Sequence, residues 1–188
     1  MELAAEYVKD EIVERCLQGD AGGYTVLYKR YATSMFNTTL RIVNNKKDAE
    51  DVLQEAFTDA FANLQTFNFT STFGAWLKKI VINKSLNLLR KGKLLVIDPN
   101  DTIIEKIPEA EMIDEEHIHL QVAKIKKTMQ LLNTGQRTVL TLYLFEGYDH
   151  EEISEIMNIA PVTVRSQYMR AKQKLLTLLK NDNDAERA

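Results

Sequence analysis

The chain has 188 residues, 45% of them hydrophobic and 27% charged, the balance of a globular protein rather than a disordered or fibrous one. No window approaches eighteen uncharged apolar residues, which reads against a membrane-spanning helix, and the charged N-terminus MELAAEYVKDEIVER lacks the apolar stretch of a secretory signal. The lone Cys16 forms no internal disulfide, and together these features point to a cytoplasmic protein with no membrane insertion.

The net charge of -3 conceals an uneven distribution. Residues 1–72 hold seven basic and eleven acidic side chains, and residues 73–93 hold six basic and none acidic. Residues 94–120 hold one basic and eight acidic, and residues 121–180 nine basic and five acidic. Two basic segments flank an acidic one. Such segments are the footprint expected of a nucleic-acid contact, although a charge run also suits a plain solvated face.

Taken in chain order, nearly everything reads as helix. A first helix lies around Glu6 to Leu17. The stretch from Gly19 to Gly23 separates it from a second, Tyr24 to Ile42, with Leu27, Tyr31, Met35 and Leu40 as an apolar stripe. Asp48 to Leu64 (DAEDVLQEAFTDAFANL) is the clearest case. Ala49, Val52, Leu53, Ala56, Phe57, Ala60, Phe61 and Leu64 fall on one face at three- and four-residue steps. Asn44, Asn45 and Asp48 supply start signals, and acids in the first turn suit the helix dipole. The period then breaks: QTFNFTSTFG reads as a loop ending near Gly74. A basic helix follows, roughly Ala75 to Arg90, closed by Gly92.

From Lys93 to Glu116 the chain carries Pro99, Pro108 and many acids with weak periodicity, which reads as a linker. Helix resumes from His117 to Leu132, and Asn133, Thr134 and Gly135 read as a turn. Gln136 to Phe145, His150 to Asn158 and Val162 to Leu179 are three further helices, and the tail NDNDAERA reads as frayed. The predicted fold is all-α: two small helical domains joined by an acidic linker. Residues 1–93 form the first domain, 94–120 the linker, 121–182 the second domain and 183–188 a tail.

The second domain holds the strongest local signal, GYDHEEISEIMNIAPVTVRSQYMRAKQKL from Gly147 to Leu175. A short helix places Ile153, Ile156 and Met157 inward. Asn158-Ile159-Ala160 forms the connection, where Asn tolerates a left-handed backbone, and Pro161 suits the first position of the next helix. Val164, Tyr168, Ala171 and Leu175 then face a core. Thr163, Arg165, Ser166, Gln167, Arg170, Lys172 and Lys174 cover much of the remaining surface. This is the layout of a helix-turn-helix, whose second helix offers hydrogen-bonding side chains to base edges and cations to phosphates. An ordinary helical hairpin with a basic face has the same layout. No phosphate-cradling glycine loop and no nucleophile–base grouping accompanies it. The residues therefore point to no enzyme, no small-molecule substrate and no cofactor. His117 and His119 with Glu115 and Glu116 form a metal-like cluster on paper, but without a nearby Cys the expectation is a solvated linker and no metal.

Three segments now acquire a common meaning. GYDHEEISEIMNIAPVTVRSQYMRAKQKL resembles the -35 reading region of sigma-70-class RNA polymerase sigma factors. NNKKDAEDVLQEAFTDAFANL resembles their polymerase-binding helix, and TFGAWLKKIVINKSLNLLRKGK their -10 reading and melting region. The order is the family's, the resemblance covers about 25–180, and it is closest to the two-domain extracytoplasmic-function group. The resemblance implies that Asp48, Asp51, Gln54, Glu55 and Phe57 dock on the clamp helices of core RNA polymerase. It implies that Asn68, Thr70, Ser71 and Phe73 belong to a loop that captures a flipped base of the -10 element. Trp76, Lys79, Asn83, Asn87 and Arg90 would lie along one helical face beside opened DNA, with Asn83 set among Ile and Leu and so in need of a partner. Core packing is an equal reading for Trp76.

In the second domain the resemblance assigns Thr163, Arg165, Ser166, Gln167, Met169, Arg170 and Lys174 to the -35 DNA. The chain departs from the common pattern at Ala160, usually Ser, and at Val162, often Gly. Losing the Ser weakens the helix cap by roughly 1 kcal/mol. The acidic segment from Asp98 to Glu116 matches the family's linker toward the polymerase cleft, where it would mimic RNA charge. The resemblance further implies promoter DNA and an anti-sigma factor as partners. A stand-alone helix-turn-helix regulator and a protein that only looks similar remain alternatives. The Asp48–Leu64 helix and the acid-free basic helix favour the first reading, because a plain repressor needs neither.

Overall fold

The computed structural model describes residues 10–95 and 115–186, with side chains over 10–95 and 122–182. Among these residues the fold is all-α. The helices are α1 (Glu11–Leu17), α2 (Ala21–Val43), α3 (Lys46–Ala62), a 3-10 turn (Leu64–Thr66), α4 (Phe73–Lys91), α5 (Glu115–Met129), α6 (Thr134–Leu144), α7 (His150–Met157) and α8 (Pro161–Glu186). They fall into two compact units, Met1–Lys91 and Gly92–Ala188.

In the first unit α2, α3 and α4 pack against one another and α1 lies on α2. Asp10 caps α1, accepting from the Ile12 N–H at 3.0 Å, and also takes the Arg30 guanidinium of α2 at 2.8 Å. Asp20 caps α2 through the Gly22 N–H at 2.8 Å and pairs with Arg15. That pairing, with the Gly22 N–H, holds its carboxyl below the usual aspartate range. Asn44 ends α2 in the left-handed region at φ 58°. Asn45 then caps α3, accepting from the Asp48 N–H at 3.1 Å.

The stripe read from the sequence is the buried face of α3: Ala49, Val52, Leu53, Ala56, Phe57 and Ala60. It packs with Leu27, Met35, Leu77 and Val81, and with the rings of Phe67 and Phe73. The loop ends near Gly74, where the sequence places it: α4 begins at Phe73. A side chain at 74 would place its Cβ 2.8 Å from the Tyr31 ring. The glycine serves close helix approach rather than a break.

The second unit centres on Met129, Leu132, Leu140, Ala171 and Leu175, with Ile125, Phe145, Tyr168, Leu178 and Leu179 packed around them. The expected turn at Asn133-Thr134-Gly135 is instead a helix start. Asn133 caps α6, accepting from the Gln136 N–H at 2.9 Å, and Thr134 and Gly135 are its first residues. The expected fraying of the tail NDNDAERA is also corrected over its described part: α8 continues to Glu186. Lys124 of α5 meets Asp182 at 3.0 Å, and Leu178 and Leu179 reach the core, so this end of the helix is tied down. The linker segment 96–114, the first nine residues and residues 187–188 lie outside the described residues.

Candidate nucleic-acid interface

The acid-free stretch becomes one exposed row on α4. Lys79, Asn83, Asn87 and Arg90 all face solvent, while Leu77, Val81, Ile82, Ser85, Leu86 and Leu89 turn inward. Arg90 donates to the Asn87 amide oxygen at 3.1 Å. Asn83 therefore needs no buried partner, contrary to the sequence expectation. Its apolar neighbours point the other way, as helical geometry requires of residues one position apart. Trp76 heads the row half-buried, its ring 5.4 Å from Phe67 and 5.7 Å from Phe73.

The loop before α4 is tightly organised. The Asn68 side-chain oxygen accepts from the Thr70 hydroxyl at 2.7 Å and from its N–H at 3.3 Å. Phe69 sits at φ 57°, a region that few side chains adopt, with its ring 4.7 Å from Phe67. A hollow of about 140 Å³ opens among Asp10, Tyr31, Phe67, Phe69, Ser71, Thr72 and Phe73. Aromatic walls with a hydroxyl and carboxylate rim suit a flat heterocycle, stacked on one face and hydrogen-bonded at its edge. The resemblance assigns Phe73 to the base-capturing loop. It is instead buried, packed 5.4 Å from Tyr31, and forms part of the wall.

On α3, Asp51, Gln54 and Glu55 are exposed and Asp48 half-exposed, so four of the five residues assigned to docking form a surface row. Phe57 is corrected: it is buried, with Tyr28 at 4.8 Å and Phe61 at 5.5 Å, and supports the row from below. The row borders a groove of about 240 Å³ lined by Asp48, Asp51, Val52, Glu55, Lys84, Asn87, Leu88 and Lys91. Sequence reading missed Lys84. This α4 side chain, 22% exposed, reaches across to Asp59 at 2.5 Å and Glu55 at 3.5 Å. The Asp59 carboxylate raises its ammonium above the ordinary lysine range, and Glu55 adds to the effect. No spacing in the sequence connects residues 55 and 59 with residue 84.

In the second unit the helix-turn-helix is built as its residues suggest. Gly147 makes the preceding turn at φ 79°. Asp149 and Glu152 close a reciprocal capping box on α7, at 2.8 and 2.9 Å. Asn158 ends α7 left-handed at φ 53°, and Ser154 donates its hydroxyl to the Ile159 carbonyl at 2.7 Å, fixing the turn. The rings of Tyr143, His150 and Tyr168 brace α6, α7 and α8, with centroids 4.7 to 5.2 Å apart. Burial, followed by Tyr143, pushes the Tyr168 phenol up.

α8 begins at Pro161, with Ala160 offering only its carbonyl, to the N–H groups of Thr163 at 2.9 Å and Val164 at 3.1 Å. Val162 is 71% exposed. Arg165 and Lys174 are exposed, and Thr163, Ser166, Met169 and Arg170 are half-buried. Gln167 was expected on the reading surface. It is 2% exposed, because it lies three residues after Val164 and four before Ala171 on the face that packs inward. Arg165 Nη2 donates to Glu151 Oε1 of α7 at 2.6 Å, a contact the sequence reading did not single out. Among the described residues no group of three or more His, Cys, Asp or Glu is placed to hold a metal. The side chains of Glu115, Glu116, His117 and His119 lie outside those residues. No described helix is long and apolar enough to cross a membrane.

Known proteins share this arrangement. A family profile described as sigma-70 region 2 matches residues 27–94, and one described as sigma-70, region 4 matches 123–175. The chain is 31% identical over 179 residues to the RNA polymerase sigma-H factor of Pseudomonas aeruginosa, covering 88% of this chain and 90% of that one. It is 30% identical over 189 residues to the ECF RNA polymerase sigma-E factor of Haemophilus influenzae, covering 92% and 96%. In fold it is similar to CnrH, solved in complex with the cytosolic domain of CnrY. There the TM-score is 0.55 at 23% identity, over 91% of this chain and 96% of that one. It is likewise similar to the sigma factor RpoE of Bartonella quintana, solved with the anti-sigma factor NepR. That match has TM-score 0.55 at 24% identity, over 84% and 96%.

Proposed function

Because this chain belongs to the extracytoplasmic-function group of sigma-70 factors, we propose a division of that work between its two units. The chain acts as a dissociable subunit that directs core RNA polymerase to its promoters. Residues 1–93 dock on core through Asp48, Asp51, Gln54 and Glu55 and open the -10 element. Residues 94–120, whose last six open α5, connect, and residues 121–182 read the -35 element through α8. The chain redirects an enzyme rather than being one, and it works in the cytoplasm, where the polymerase is. The Bartonella relative was captured with an anti-sigma factor, and the proposal extends a protein partner of that kind to this chain.

The observation that carries the division lies in the first unit. An exposed acidic row on α3 and an acid-free cationic row on α4 are surfaces of one small bundle. The first complements a basic protein surface, and the second complements nucleic-acid phosphates. The aromatic hollow beside Ser71 and Phe69 suits an unstacked base. A regulator that binds duplex DNA alone needs neither the row nor the hollow.

The chain should co-elute with bacterial core polymerase in size exclusion and support run-off transcription, with little DNA affinity of its own. Tight duplex binding by the free chain without core association would overturn the proposal. Asp51→Arg should weaken core binding by about 10-fold or more in a pull-down, since a like charge placed in a complementary interface costs on the order of kilocalories. Unchanged binding would remove α3 from the docking surface.

A further inference from the structure

We propose that Glu151 is a positioning residue for base reading, holding the Arg165 guanidinium at the angle from which it contacts one base of the upstream promoter element. The inference rests on the reading of α8 as the helix that enters the major groove. Arg165 stands in the second turn of α8, and its Nη2 donates to Glu151 Oε1 at 2.6 Å. Both side chains are open to solvent, 57% and 61% exposed. A pair this exposed adds little to folding stability. Glu151 lies in the first turn of α7, where an acid suits the helix dipole, but the α7 capping box is closed by Asp149 and Glu152 without it.

A carboxylate on a DNA-facing surface carries a penalty, since it repels phosphate. What it gains here is geometric. An unheld arginine side chain loses much rotamer freedom when it docks on a base, whereas its planar fork holds its donors in fixed relation once one end is pinned. Glu151 occupies one N–H of the five. The second Nη2 proton and both Nη1 protons stay available for the two acceptors on the major-groove edge of guanine. The same carboxylate penalises a base that offers an amino group where the arginine needs an acceptor, because once DNA excludes water from the contact the guanidinium cannot swing away without leaving Glu151 desolvated and unpaired. Glu151 thus trades overall DNA affinity for discrimination at one position.

The test uses polymerase reconstituted with the full chain and a promoter library randomised over the upstream element, with bound and transcribed sequences counted at fixed salt. Arg165→Ala identifies the position it reads, where preference should fall roughly 5- to 100-fold. Glu151→Gln should lower preference at that same position by roughly 3- to 10-fold while raising affinity for all sequences modestly, and the double variant should discriminate no worse than Arg165→Ala. Glu151→Gln with preference intact at the Arg165 position overturns the proposal. So does a changed preference at a different position, which would make Glu151 a direct reader. If Arg165→Ala shifts no position, the assignment of α8 to the upstream element fails instead, an outcome distinct from failure of the Glu151 role. Thermal unfolding of Glu151→Gln at the wild-type midpoint separates positioning from loss of fold.

Discussion

α4 and α8 both offer cations to solvent, yet they are held differently. α4 rests on a continuous aromatic layer, Phe67, Phe73 and Trp76 with Tyr31 behind them. Its start is capped by the Thr72 hydroxyl, which accepts from the Ala75 N–H at 3.2 Å, and Lys84 bolts its middle to two carboxylates of α3. α8 starts on Ala160, which has no side-chain oxygen. Besides the smaller aromatic brace of Tyr168 with Tyr143 and His150, its tie to α7 through Arg165 is a surface pair, and it packs the polar Gln167 inward beside Val164 and Ala171. The strand opening proposed for α4 is served by such a stiff bed. The base reading proposed for α8 is served by side chains held in place.

The largest break in this contrast should come from removing the aromatic bed. Phe73→Ala deletes a buried ring and should cost about 3–5 kcal/mol, because its neighbours Tyr31, Phe67 and Trp76 cannot all close the space. Trp76 is the sole tryptophan, so its fluorescence during urea unfolding reports on the first unit directly. A cost below about 1 kcal/mol would mean that α4 is not supported by this layer.

The aromatic bed also shows what the sequence disclosed. The α3 stripe, the left-handed Asn158 and the inward Val164, Tyr168, Ala171 and Leu175 follow from periodicity and backbone sterics, which are local. The features that were not legible depend on distant residues. The packing role of Gly74 comes from the Tyr31 ring that passes over it, which nothing in the sequence indicates. The end of α8 looked frayed because Lys124, which pairs with Asp182, lies more than fifty residues away in the chain. Gln167 is a different kind of miss. Its spacing from Val164 and Ala171 marks the inward face, whereas its amide and the family resemblance both point to base reading.

Lys84 provides the next test. Lys84→Met keeps most of the stem packing and removes the charge, so it should cost about 1 kcal/mol near neutral pH, discounted because both acids are solvent-exposed. The pH dependence follows from the raised ammonium. The bond's stabilisation is fully present below the ordinary lysine pKa of about 10.4 and is lost as pH rises through the higher folded-state value. Wild type and variant should therefore converge in urea midpoint on the alkaline side and differ near pH 8. A constant gap across that range would show that packing, not the ion pair, ties α4 to α3.

The smallest effects lie at the two helix starts and bear on the contrast most directly. Thr72→Ala removes a side-chain cap and should cost about 1 kcal/mol. The reverse change, Ala160→Ser, installs one where the chain lacks it. The gain should be at the low end, about 0.5 kcal/mol, because the Thr163 N–H already reaches the Ala160 carbonyl at 2.9 Å and Pro161 has no N–H to satisfy. Both changes can be read as shifts in urea midpoint at a shared slope. If Ala160→Ser stabilises as much as Thr72→Ala destabilises, the carbonyl contact contributes little and the α8 start is simply uncapped. If it stabilises by less than half as much, the carbonyl already substitutes for the hydroxyl, and Ala160 costs α8 little stability.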